Sequence, residues 1–138
     1  DEEEKKWYLA ICRIDPQWGS YRYYFFRSDR PFDGYAHIGH ASDGAETGGS
    51  FAHFRGERIF ACGNSMNKRA DYRIYTKDGM FKPEFDFDDG GFRGWGTIIP
   101  VKLGTRTRYF WLTFDRHNAS DFPWSYGNWY CFEAMDCK

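Results

Sequence analysis

The amino-acid sequence predicts one all-β, antiparallel domain spanning residues 1–138. The expected form is a closed barrel or a two-sheet sandwich of about eight to ten short strands, with an aromatic-rich core and two disulfides. Three observations predict it. No segment of helical length keeps apolar residues at 3.6-residue spacing between capping residues. Fifteen glycines punctuate the chain at short intervals. Between them lie short runs rich in Tyr, Phe, Trp, Ile and Thr, the residues that suit a pleated surface.

Taken in order, these runs predict strands near 7–14, 21–27, 35–41, 50–55, 58–63, 71–76, 84–87, 96–102, 107–114 and 128–134. "FRGER" predicts a tight hairpin turn around Gly56, and "SDG" (42–44), "KDG" (77–79) and "LGT" (103–105) predict further turns. "DFDDGGFRGWG" (86–96) reads as a glycine-rich loop. "RHNASDFPWSYG" (116–127) is the longest irregular stretch, and a long loop in a compact domain is commonly functional. The strand within "RTRYFWLTFDR" (106–116) carries two unlike faces. Phe110, Leu112 and Phe114 form an ordinary core face. Tyr109, Trp111 and Thr113 form a face expected to be partly exposed, at or near a binding surface.

Composition narrows the class. The length of 138 residues fits one domain able to bury a core. Nineteen basic and 20 acidic side chains give a net charge of −1, which argues against a dedicated binder of duplex nucleic acid. No apolar run reaches the roughly 18 residues of a membrane span. The opening "DEEEKK" (1–6) reads as a charged, solvated extension, as expected if a leader has been removed. Cys12, Cys62, Cys131 and Cys137 form an even set without the paired spacing of a zinc ribbon. Two disulfides in an oxidising compartment are therefore expected, with three pairings open; buried thiols in a cytosolic protein are the alternative. Asn118-Ala119-Ser120 is a glycosylation sequon in a polar loop.

The apolar inventory is unusual. There are 30 aromatic residues (14 Phe, 10 Tyr, 6 Trp) against 11 aliphatic ones, seven Ile, three Leu and one Val. Eleven aliphatic side chains do not fill the interior of a domain this size, so many rings must be structural.

Weak self-similarity runs through the chain. "YRYYFFRSD", "ERIFACGNS" and "RYFWLTFDR" are aromatic strands ending in a small polar cluster. They are followed by "YAHIGHASDG", "YRIYTKDG" and "NWYCFEAMD", with "GGSFAHFRGERIF" between. This pairing resembles blades of the five-bladed propellers found among glycoside hydrolases, over most of the chain. Propellers close with at least about four blades and this chain offers three. The catalytic carboxylates of that family are not carried over, and a barrel or sandwich fits the length better.

Several constellations bear on chemistry. His37 and His40 lie three apart in "HIGHASDGAE", near Asp43, Glu46 and His53. On a regular strand they point to opposite faces and chelate nothing together unless the strand bends. Glu84, Asp86, Asp88 and Asp89 offer hard oxygen ligands without the spacing of a calcium loop. No metal or cofactor is assigned. His37, His53, Glu57 and Arg73 are of the types a ribonuclease needs, yet no spacing selects them. Arginines interleaved with aromatics in "YRYYFFR", "DYRIY" and "RTRYFW" match a single-strand stacking surface, or arginine stems covering rings on a solvated sheet.

Sugar binding fits more of the features, because a sugar stacks its C–H face on a ring and gives its hydroxyls to amides and carboxylates. The ring candidates lie in connections: Trp18 in "DPQWGS", Trp95 in "FRGWG", and Trp124 and Tyr126 in "DFPWSYGN" beside Asp121 and Asn128. Each is alternatively a plug at the end of the fold. The expectation is a secreted, non-catalytic, lectin-like glycoprotein that binds a glycan or other small extracellular ligand, with self-association possible. The alternatives are a secreted hydrolase of glycans or RNA, a barrel carrying a small apolar ligand, and a structural subunit of an extracellular assembly.

Overall fold

The computed structural model describes residues 1–17, 20–41, 46–64, 72–85, 92–115 and 129–135. Among these, ten strands form: β1 Trp7–Asp15, β2 Ser20–Ser28, β3 Ala36–His40, β4 Glu46–Phe54, β5 Glu57–Asn64, β6 Tyr72–Thr76, β7 Phe81–Phe85, β8 Phe92–Leu103, β9 Arg106–Asp115 and β10 Trp129–Glu133. Each overlaps a strand that the sequence predicts. The hairpin at "FRGER" is a two-residue turn with Arg55 at φ 51° and Gly56 at φ 82°, the doubly left-handed backbone that matches the twist of its flanking strands.

The strands make neither a closed barrel nor a two-sheet sandwich. They form three antiparallel meanders, each in chain order: a first sheet β1-β2-β3, a central sheet β4-β5-β6-β7 and a third sheet β8-β9-β10. The self-similar pairs of the sequence fall one to a sheet, on β2–β3, β5–β6 and β9–β10. The central sheet lies between the other two and is covered on both faces. Ile59, Ala61, Tyr72 and Ile74 pack with Ile98 and Trp111 of the third sheet. Phe60, Cys62 and Tyr75 pack with Tyr23 and Phe25 of the first. Alternation along a strand sends successive side chains to opposite faces, so β6 is buried at Tyr72, Arg73, Ile74 and Tyr75 in succession.

Rings join the layers edge to face, the arrangement their quadrupoles favour. Phe60 meets Tyr23 at 4.7 Å and Phe25 at 5.2 Å between ring centroids. On the other side Tyr72 meets Trp111 at 4.6 Å, and Phe54 meets Tyr109 at 5.1 Å. The Tyr72 hydroxyl and the buried Thr113 hydroxyl form a hydrogen bond across that interface.

The two faces of β9 are therefore reversed from expectation. The Tyr109–Trp111–Thr113 face is the core face, with Trp111 and Thr113 buried. Phe110 and Leu112 are half-buried on the outer side. The reason is chemical: the central sheet presents a tyrosine hydroxyl at this interface, and only the polar-tipped face of β9 can answer it.

The expected disulfides do not form among the described residues. Cys12, Cys62 and Cys131 are not bonded to one another, and each lies on a different sheet, on β1, β5 and β10. The Tyr23 hydroxyl lies beside both Cys12 and Cys62 and accepts the Gly49 amide at 2.6 Å, and burial pushes its phenol above the usual range. Cys137 falls outside the described residues.

Gly96 sits where β8 lies tight against its neighbour β9 and against the central sheet. A Cβ there would sit 2.1 Å from the Leu112 carbonyl oxygen and 2.7 Å from the Tyr72 hydroxyl. Gly96→Ala is expected to cost about 3 kcal/mol or more, since backbone cannot yield as a side-chain tip can. Tyr72→Phe removes one buried hydrogen bond and is expected to cost about 1–3 kcal/mol. Urea denaturation with an unchanged m-value measures both. A Gly96→Ala protein as stable as the parent would contradict this close approach of β8 to the Leu112 carbonyl and the Tyr72 hydroxyl.

Candidate functional site

The charged start of the chain is held down rather than trailing. The Asp1 amine donates to the Lys6 carbonyl at 2.7 Å, and the Lys6 amide returns a bond to the Asp1 carbonyl at 3.1 Å. Lys77, in the β6–β7 turn, reaches across to the Asp1 carboxylate at 3.2 Å and to Glu4. The Tyr8 hydroxyl also donates to Glu4, and the Lys77 ammonium stands 5.2 Å from the centre of the Tyr8 ring.

Two adjoining clefts open around this turn. One, about 790 Å³, is walled by Asp1, Glu3, His53, Glu57, Lys77 and Asp78, among others. The other, about 540 Å³, is walled by Lys5, Lys6, Trp7, Asp29 and Arg58. Asp1, Glu2 and Arg58 belong to both. Arg58 Nη2 donates to His53 Nε2 at 2.6 Å, so that nitrogen carries the lone pair. Trp7, half exposed, supplies an apolar plane on a polar rim. Hydrogen bonding to Lys77, then to Tyr8, holds the Glu4 carboxyl below the usual range, and the same Lys77 bond raises the ammonium. The Lys6 ammonium likewise lowers Asp29.

A second polar constellation covers the outer side of the first sheet. A register shift between Phe25 and Phe26 lets Phe26 pair with His37 and Tyr24 with His40. The strand does bend, and both imidazoles stand on one face, stacked with centroids 6.2 Å apart. Arg13 lies 4.4 Å from the centre of the Tyr24 ring. The Tyr24 hydroxyl donates to Asp15 at 2.7 Å, which is the main reason the Asp15 carboxyl is lowered. Asp15 also pairs with buried Arg22 at 3.4 Å. Among the described residues no three His, Cys, Asp or Glu side chains come together to hold a metal ion.

The residues singled out from the sequence fare differently. Trp18, Asp121, Trp124, Tyr126, Asn128 and the sequon at Asn118 lie outside the described residues. Trp95 belongs to strand β8 and not to a loop. The ribonuclease-type set is not brought together: His53 and Glu57 line the larger cleft, His37 is on the first sheet, and Arg73 is buried in the core. Trp7, Asp1, Arg58 and Lys77 escaped the sequence reading. Their spacing carries no signal, because a fold-back of the first six residues onto a turn some 70 residues later unites them.

Compared with known proteins, the chain matches no family model, no curated protein and no solved structure. Among the described residues no helix is long and apolar enough to cross a membrane.

The lowered Glu4 acid gives a signed pH dependence. A carboxylate whose folded pKa is depressed stabilises the folded form above its unfolded value, near 4.3 for Glu. That contribution is lost as pH falls through the lower, folded value. NMR titration of the Glu4 side chain should show a midpoint below the ordinary range, returning toward it in Lys77→Met. An ordinary midpoint in the parent protein would show that the fold-back is not made through this pair.

Proposed function

We propose that the protein is an extracellular, non-catalytic glycan-binding protein and that the double cleft at the N-terminal turn holds the sugar. One observation carries the reading: an exposed tryptophan plane, Trp7, stands on the rim of a cleft whose other walls are carboxylates, Arg58 and lysines. A saccharide needs this mixture, an apolar plane for its C–H face and charged acceptors and donors for its hydroxyls. The sequon at Asn118 supports extracellular residence.

A glycan array followed by tryptophan-quenching titration tests this. The parent protein should bind a defined glycan, and Trp7→Ala or Arg58→Ala should weaken it at least about tenfold, or ~1.4 kcal/mol, with the fold retained. Binding unchanged in both variants, or no glycan bound at all, would overturn the assignment. Hydrolysis of the bound glycan, lost in Glu57→Gln, would instead establish a hydrolase, since Glu57, Asp78 and His53 share the larger cleft. A second reading, a subunit of an extracellular assembly, is favoured by the apolar side chains left uncovered on both outer sheets.

A further inference from the structure

The inner strands β2, β5 and β9 of the three sheets follow one packing pattern, and the pattern is unmet at both ends of the stack. Aligning "YRYYFFRSD", "ERIFACGNS" and "RYFWLTFDR" residue by residue superposes Tyr23 and Phe25 on Ile59 and Ala61 and on Phe110 and Leu112. Tyr23 and Phe25 face the central sheet, and Ile59 and Ala61 face the third. These positions form the forward face of each repeat. The same alignment superposes Tyr24 and Phe26 on Phe60 and Cys62 and on Trp111 and Thr113. Phe60 and Cys62 receive the first sheet, and Trp111 receives the central one. These form the rear face.

Each forward face thus packs on the rear face of the next repeat, twice over. Two faces remain. The forward face of the third sheet carries half-buried Phe110 and Leu112, with Ile99 beside Phe110 37 % exposed and Trp129 on the same side 67 % exposed. The rear face of the first sheet carries half-buried Tyr24 and Phe26, whose cross-strand neighbours Ile11 and Leu9 are 42 % and 38 % exposed. A terminal repeat in a stacked array ordinarily carries a polar outer face. Here apolar side chains share each end face with charged ones: Arg13, the Asp15–Arg22 pair and the His37–His40 pair on the first sheet, Arg108 and Glu133 on the third.

We infer that the protein associates head to tail with a second copy of itself, the third sheet of one copy packing on the first sheet of the other as a continuation of the two interfaces inside the chain. The contact is heterologous, with unlike faces meeting. Two copies satisfy all four end faces if the turn between successive sheets closes the ring; otherwise the copies add in a row. Neither face includes the larger cleft, which opens beside the β4–β5 and β6–β7 turns.

The test is molar mass by light scattering during gel filtration, with one variant at each end. Ile11→Glu alters the first-sheet end and Ile99→Glu the third-sheet end; both side chains are exposed, so the fold should survive, as near-UV circular dichroism will show. The parent should elute at twice the chain mass or more. Each variant alone should elute as a monomer, because every contact it can make includes its altered face. An equimolar mixture should regain a species of two chains, because the intact third-sheet end of one variant meets the intact first-sheet end of the other. A parent that stays monomeric at its highest soluble concentration overturns the inference. So does either variant associating like the parent, or a mixture that stays monomeric.

Discussion

The rings of Phe60 and Tyr72 leave the central sheet on opposite faces, and each outer sheet closes over one of them. With 11 aliphatic side chains in 138 residues, no single apolar layer is large enough to fill an interior. Splitting the core into two thin layers, one on either side of a shared sheet, lets a few large rings do that work. Each ring then needs a partner at the right tilt. Phe60 finds Tyr23, Phe25 and Phe51, the last at 5.0 Å. Tyr72 finds Trp111 and the Thr113 hydroxyl. Ring packing of this kind adds roughly 0.5–1.5 kcal/mol per pair beyond area burial, and it sets the register between layers as well as their separation.

This arrangement leaves consequences at the periphery. The outer sheets bury one face each and leave polar groups standing on the other. The first sheet shows a histidine pair, a stacked arginine and a buried Asp15–Arg22 pair held by Tyr24. The third shows Arg108 in a bidentate pair with Glu133 while its guanidinium lies 5.2 Å from the centre of the Phe110 ring. The polar clefts form where the N-terminal turn folds onto two hairpin turns of the central sheet. The rigid centre therefore positions the site through its turns: Arg55–Gly56 sets where His53, Glu57 and Arg58 emerge, and the β6–β7 turn sets Lys77.

Strand identity was legible in the sequence because turn chemistry and β-branched or aromatic runs are local signals. The hairpin at Gly56 and the strand bearing "YRIYT" follow from a few adjacent residues. The assembly of those strands was not legible. A closed barrel, a sandwich and a three-sheet stack draw on the same alternation, and the choice lies in contacts between residues far apart, such as Gly96 against Tyr72. The reversed faces of β9 show the same limit. Phe–Leu–Phe is the more apolar face, yet Tyr–Trp–Thr is buried because of a hydroxyl on another sheet. The bulge that aligns His37 with His40, and the fold-back that makes Trp7 a cleft residue, are likewise decided by tertiary partners.

Amide hydrogen exchange on the native protein tests the doubly covered sheet most directly. If the central sheet is shared by both layers of the core, amides of β5 and β6 open only when the whole molecule unfolds. They should be the slowest in the protein, with β1 and β10 exchanging earlier through local opening. Amides of β5 and β6 that exchange as fast as those of β1 or β10 would contradict a central sheet enclosed on both sides.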